Sequence, residues 1–331
     1  MARVLFAALF PLLALGWLWC HGAFFHAFDA PAWIAAAASA ATAALLVSCI
    51  FLRRAVLPLV IVELTVLAAF LCVTPRQRFD NVKWQTSWRK TAAVRKLADG
   101  RYELDNVRDF HYRSEYDFDV RYRTVVLDPG QISSIDAVFS HWDDLETVAH
   151  SMLGLNFADG TTVVFSMETR LPEGKTQNAI DGFYHRYGLA MIAGTPEDLY
   201  GLRTDHRGET LYVYRVKADR KYMRKTVISL LERAGHLQRH PEFYNSLFRN
   251  CTTGMLSALP EANSMKINDI RLIFNGMAGN MLFEKDLIVH REGESFGSLR
   301  ARSLVPGRCN GEGAPATHYR GESEARWLRG R

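Results

Sequence analysis

The chain has 331 residues, enough for a membrane section and one or two further domains. Its net charge of +5 is modest, and its basic residues are scattered among acidic ones with no Lys/Arg block interleaved with aromatics, which argues against a nucleic-acid partner. Five cysteines, at positions 20, 49, 72, 251 and 309, form no CxxC pair, so neither a zinc site nor a thioredoxin-type centre is indicated and no metal or other cofactor is expected.

Three apolar runs open the chain, Val4 to Cys20, Ala32 to Leu52 and Ala55 to Val73. A helix needs roughly 20 apolar residues to cross a bilayer, and each run meets or approaches that length. The first alone would suit a signal peptide; two further spans favour a retained anchor. Arg3 precedes the first run, Arg53 and Arg54 separate the second from the third, and the loop from His21 to Pro31 has no Lys or Arg. The positive-inside rule then places the N-terminus and the Arg53–Arg54 turn in the cytoplasm and everything after Pro75 outside. Trp17, Trp19 and Trp33 fall near the expected outer boundary, as an interfacial aromatic belt does. Glu63 lies inside the third run, where a hydrogen-bonded helix contact accounts for it as well as a functional role does. Residues 1–75 are therefore read as a membrane region with three transmembrane helices.

From residue 76 to about 299 the pattern is that of one α+β domain. Strands are expected from Arg101, over Asp119 to Leu127, and over Leu211 to Val216. Tyr222 to Ala234 has helical apolar spacing, and a short helix is expected over Asp269 to Phe274. Residues 300–331, rich in Gly and Arg, read as a disordered tail that includes Cys309.

The informative hairpin runs from Val148 to Arg170, with its turn at Ala158-Asp159-Gly160. A two-residue turn would set Leu153 opposite Ser166. A three-residue loop with Gly160 left-handed sets Leu153 opposite Phe165 and Leu155 opposite Val163, which keeps the apolar faces together. That register puts His150 opposite Glu168, both on the face away from those apolar residues. Cys251 stands at the start of a short apolar helix, Gly254 to Leu259, stopped by Pro260. There the helix dipole favours thiolate, and first-turn N–H groups lack intrahelical partners. Taken singly, each of these residues has an ordinary structural explanation. Together they are what thiol acyl transfer needs: a nucleophile, a base and a group that orients the base.

The stretches Asn106 to Phe110, His150 to Gly160, Phe165 to Arg170, Asp198 to Arg203 and Phe243 to Thr253 resemble, in this order and through most of residues 84 to 275, the Lnb-type periplasmic domain family. The order of His, polar residue and Asn-Cys is that of the circularly permuted papain-like (NlpC-type) enzymes. The resemblance implies a lipoprotein N-acyltransferase that moves a fatty acyl chain from phospholipid to a lipoprotein N-terminus. Carried over, Cys251 is the nucleophile, His150 the base and Glu168 the orienting residue. Helix-start amides would form the oxyanion hole, with Asn250, Asn245 and Thr252 assisting or positioning and Arg108 and Arg170 as candidate contacts for a phosphate or carboxylate. The expected setting is a bacterial inner membrane with the C-terminal domain in the periplasm, and the expected partners are phospholipid and lipoprotein. Two alternatives stand beside it: a cell-wall peptide amidase or other thiol hydrolase using the same residues, and a non-catalytic membrane scaffold with His150 and Cys251 far apart or Cys251 bonded to Cys309.

Overall fold

Long apolar runs force the first elements into helices, because only there can every backbone group be satisfied within the segment. In the computed structural model, which describes residues 2–73, 79–142, 146–260, 269, 271 and 274–307, they form α1 (Ala2–His26), α2 (Ala32–Phe51) and α3 (Val56–Val73). All three are long and apolar enough to cross a membrane. They form one compact unit together with two later pieces of chain, Leu171–Gly188 and Phe243–Ser246. Small and polar residues line the helix contacts. Trp17 Nε1 donates to Thr42 Oγ1 (3.1 Å), and His21 Nδ1 meets Ser39 Oγ (2.5 Å). A Cβ at Gly16 would stand 2.6 Å from Glu63 Oε2, so glycine there makes room for the membrane carboxyl.

The second unit holds the remaining described residues around one mixed sheet. Its strands are β1 (Ala93–Lys96), β2 (Tyr102–Arg108), β5 (Tyr122–Leu127), β6 (Ile132–His141), β7 (Ala149–Phe157), β8 (Thr162–Arg170), β9 (Gly188–Gly194) and β10 (Thr210–Arg215). Their order is β1-β2-β9-β8-β7-β6-β10, with β5 also paired to β2; β3 (His111–Tyr112) and β4 (Phe118–Asp119) form a separate hairpin. The β7–β8 register is the one the apolar pattern requires. Leu153 faces Phe165 and Leu155 faces Val163, and Gly160 takes the left-handed conformation (φ 85°).

One sheet face packs Val138, Met152 and Val164 against Leu199 and Tyr200 of α5 (Pro196–Gly201). The other packs Ala137, Phe139 and Tyr214 against Ala278 of α8 (Ala278–Glu284) and Leu299 of α9 (Phe296–Arg302). The helix expected from Tyr222 extends further, as α6 (Arg220–Arg239), capped by Asp219. Residues 300–307, assigned above to the tail, instead close the fold: Val213 N–H donates to Ser303 O and Val305 N–H to Leu211 O. The short helix expected over 269–274 falls mostly outside the described residues, as does Cys309.

Arg108 and Asp198 tie β2 to α5. The guanidinium donates to both oxygens of Asp198, to Ser87 O (3.1 Å) and to Tyr112 Oη (3.1 Å), while Phe110 N–H donates to Asp198 Oδ2 (2.8 Å). Both ion-pair partners are buried. Removing one partner of such a pair strands a charge in the interior, at a cost of about 3–5 kcal/mol. Asp198→Ala is therefore expected to destabilise the sheet domain by that amount, read by chemical denaturation of the full chain in detergent.

Candidate active site

Asn250 ends an extended stretch and caps α7 (Cys251–Ser257). Its Oδ1 accepts from the N–H groups of Thr252 (3.0 Å) and Thr253 (2.9 Å), and Thr253 Oγ1 accepts in return from Asn250 N–H (3.0 Å). This capping box fixes where the helix begins and so makes Cys251 its first residue. The helix lies close against β8. A Cβ on Gly254 would come within 2.9 Å of Met167 Cγ, so a larger residue would push Cys251 away from the sheet.

At the open end of the β7–β8 pair, beyond Met152↔Ser166, stand His150 and Glu168. His150 Nε2 lies 2.6 Å from Ser166 Oγ and 3.2 Å from Glu168 Oε1. Ser166 donates its hydroxyl hydrogen to Glu168 Oε1 (2.6 Å), so its oxygen can only accept from the imidazole. The proton of neutral His150 is thereby placed on Nε2. Nδ1 is left without the proton, as the ring nitrogen able to accept one, and His150 is the group that most favours ionisation of the Cys251 thiol.

Glu168 is held in turn by Arg203, whose Nη2 donates to Oε1 (3.0 Å). Arg203 sits in a π-helical turn, Leu202–His206, that continues α5. Such turns re-aim a side chain by one residue, and here the guanidinium is only 4% exposed. It also donates to Leu199 O (2.8 Å) and approaches Glu209 Oε2 (3.8 Å), which accepts from Ser140 Oγ (2.5 Å).

The charges favour an ion pair. Burial alone would lower the His150 imidazolium, but the Glu168 carboxylate outweighs it, against repulsion from Arg203, and with hydrogen bonds to Cys251 and Glu168 lifts the group to about 9. Burial would raise the Cys251 thiol; the hydrogen bond and charge of His150, Ser151 N–H and the Thr252 hydroxyl outweigh that and bring it below its ordinary value. Glu168 is likewise pushed up by burial and down further by His150, Arg203 and Ser166, so it stays ionised. A thiolate beside an imidazolium is a nucleophile with a proton donor at hand.

The expected residues fare differently. Cys251, His150 and Glu168 are brought together. Thr252 is buried beside them, its Oγ1 bonded to Ser151 Oγ (3.0 Å) and Asn275 Nδ2 (2.7 Å). Asn250 is a helix cap, and because its side chain takes the Thr252 and Thr253 amides, those amides are not available to an oxyanion. The first-turn N–H not taken by the cap is that of Cys251 itself. Asn245 belongs to the unit of the membrane helices, not to that of Cys251. Arg108 is corrected to a structural ion pair, as described above. Arg170 donates to Trp88 O (2.9 Å) and Arg89 O (2.8 Å) and stacks on Trp84, with burial bringing it down to about 10. Neither arginine is a free anion contact.

Three residues were not anticipated: Ser166, Arg203 and Asn275. Asn275 pairs with Ala149 like a strand residue, accepting from its N–H (2.8 Å) and donating to its carbonyl, and its Nδ2 lies 3.8 Å from Cys251 Sγ. Ser166 and Arg203 lie inside stretches already singled out above, and only their partners were hidden. Among the described residues no three His, Cys, Asp or Glu side chains gather as a metal site.

An ordinary thiol near pKa 9 is about 1% ionised at pH 7. Iodoacetamide should therefore alkylate Cys251 in the wild type at pH 7 faster by roughly tenfold or more than in His150→Ala. The rate is read as mass gain on the Cys251 peptide, so that exposed Cys72 does not interfere. Ser166→Ala and Arg203→Met should fall between the two; equal rates in all four proteins would refute the ion pair.

No curated protein and no solved structure matches the chain. A family model does, over residues 118–276, a span that takes in His150, Ser166, Glu168, Arg203, Cys251 and Asn275. That segment belongs to the Lnb N-terminal periplasmic domain family.

Proposed function

We propose that the chain is a membrane-anchored cysteine acyltransferase of permuted papain-like type, facing the periplasm from the bacterial inner membrane and acylating lipoprotein N-termini from phospholipid. The observation that carries the reading is the His150–Ser166–Glu168 chain of hydrogen bonds, with the Cys251 thiol drawn toward ionisation by His150. The Cys251 thiolate attacks the ester carbonyl of the donor. A C–S bond forms, the C–O bond to the lysophospholipid breaks, and the His150 imidazolium protonates the departing alkoxide. The amino group of the acceptor then attacks the thioester; His150 takes its proton, the C–N bond forms and the thiolate leaves. Cys251 N–H, the first-turn amide not taken by the Asn250 cap, is the donor proposed for the oxyanion of both steps. Three membrane-length helices support a lipid donor, because they keep the site at the surface where phospholipid is abundant. The lowering of the Cys251 thiol by His150 counts against a non-catalytic scaffold.

Membranes carrying the full chain, incubated with a phospholipid bearing an alkyne-tagged acyl chain, should give a hydroxylamine-sensitive adduct on Cys251. The adduct should vanish in Cys251→Ala and form slower by roughly a hundredfold or more in His150→Ala. A protein that forms no adduct from phospholipid but cleaves a cell-wall peptide through Cys251 would be a hydrolase instead.

The pH dependence follows from the two shifted groups. Acyl transfer needs thiolate and imidazolium together. It should therefore rise with ionisation of Cys251 below that thiol's ordinary value and fall as pH passes about 9, where His150 loses its proton. Initial rates across that range check both limbs, and a rate still climbing above pH 9 would contradict the assignment.

A further inference from the structure

Between β8 and β9 the chain runs through Leu171–Gly188, and this stretch belongs to the unit of the membrane helices. Its centre is α4 (Ala179–Phe183), capped by Asn178, whose Oδ1 accepts from Ile180 N–H (2.8 Å). Tyr184, the residue after α4, is buried among Cys20, Ala23, Ala27, Val66 and Phe70 of α1 and α3. Its hydroxyl donates to Trp19 O (3.0 Å), and a Cβ on Gly22 would lie 1.9 Å from that hydroxyl. Gly22 is thus the notch in α1 that admits the ring.

This contact sets a depth. Trp19 lies seven residues before the end of α1, about 10 Å along the helix at 1.5 Å per residue. The Tyr184 hydroxyl therefore reaches the level of Trp19 in the aromatic belt, while Asp181 stays level with His26 at the end of α1. A hydrogen bond between His26 Nδ1 and Asp181 Oδ1 (2.6 Å) and an ion pair between Arg186 and Asp29 (2.8 Å) hold the segment at the helix ends. The backbone of the segment is largely self-satisfied, with Gly182 N–H bonded to Asn178 O and Tyr184 N–H to Asp181 O, as a segment beside lipid requires. With charges paired and the tyrosine inserted, the large apolar side chains the segment leaves exposed are Ile180 (50%) and Phe183 (37%), one helical turn apart.

We propose that this segment is a lipid-binding surface whose Ile180 and Phe183 enter the acyl-chain region of the outer leaflet beside α1 and α3. The proposal rests on the three helices spanning a bilayer and not on the acyl-transfer reading. Aromatic and aliphatic side chains on a short, polar, internally bonded element are what an interfacial anchor presents to lipid. The arrangement also has a bearing on the site. Two residues of chain separate Glu168 from this unit, and four separate Cys251 from its last piece at Ser246. Anchoring the segment in lipid would leave the site tethered to the membrane by these two short stretches of chain.

The test is photo-crosslinking of the full chain in vesicles of phosphatidylethanolamine and phosphatidylglycerol, with benzoylphenylalanine replacing Ile180 or Phe183. Tyr116, 88% exposed on the β3–β4 hairpin, serves as the control position. Irradiation should give phospholipid-mass adducts, attached through the acyl chain, at 180 and 183 on the order of tenfold above position 116. The same adducts should form in a Cys251→Ala background, which separates this surface from any acyl-enzyme. Gly22→Val, which closes the notch, should reduce the adducts while the three helices still insert, and Tyr184→Ala should do the same without adding bulk to α1. Adducts no more abundant than at 116, or adducts to a second protein chain in place of lipid, would overturn the proposal.

Discussion

A carboxylate kept ionised inside the protein governs the site. Glu168 is largely enclosed, and burial of a lone carboxylate would drive it to its neutral form. Arg203 and Ser166 donate to it, His150 lies 3.2 Å away, and together they reverse that tendency. Once Glu168 is negative, His150 is drawn toward its protonated form, and once His150 is positive, Cys251 is drawn toward thiolate. The coupling is mutual, each charge favouring the next from the interior of the sheet to the thiol. This is why residues that never approach a substrate, Arg203 above all, shape the chemistry available at the sulfur.

The dependence also explains the local geometry. Arg203 needs to reach Glu168 from the covering helix, and a regular α-helix after Pro196 would aim that side chain one residue differently. The wider π turn at Leu202–His206 corrects the aim, and Thr195 at the N-cap with Pro196 behind it fixes where α5 starts. On the other side, the Asn250 cap fixes the first residue of α7. The cap has a consequence for any oxyanion. By taking two first-turn amides it leaves the N–H of Cys251 as the one not committed to the cap.

Much of this was legible in the sequence, for identifiable reasons. The β7–β8 register followed from matching Leu153 and Leu155 with Phe165 and Val163, since a slip of one residue would have turned the two leucines to the wrong face. The three apolar helices followed from length alone. Strand β6 was missed because Ile132–His141 is buried on almost every position and so shows no alternation, and β9 because Gly-Leu-Ala-Met-Ile-Ala-Gly is a short apolar run that reads equally as helix. Arg108 was misjudged for a related reason. Its partner Asp198 is ninety residues away, and only the fold reveals that an arginine on a polar-looking strand faces inward. Ser166 left no trace because a strand serine has no pattern of its own; its role comes from which way its single hydrogen points.

The competition between acyl transfer and hydrolysis turns on what reaches the thioester, not on the thiol. Cys251 is half-buried, His150 is buried, and the groups that polarise them are shielded from water, so the apparatus that forms a thioester is the same for either fate. What differs is the concentration of each acceptor at the sulfur. On the proposed reading, a site tethered by short stretches of chain to three membrane-length helices would meet lipid-borne donors and acceptors at high effective concentration, because both are confined to the same surface. A hydrolase gains nothing from that confinement, since water is present everywhere at the periplasmic face. The membrane helices therefore do more than locate the enzyme on the proposed reading: they are the element of the structure that favours an amine on a lipidated acceptor over water as the second nucleophile.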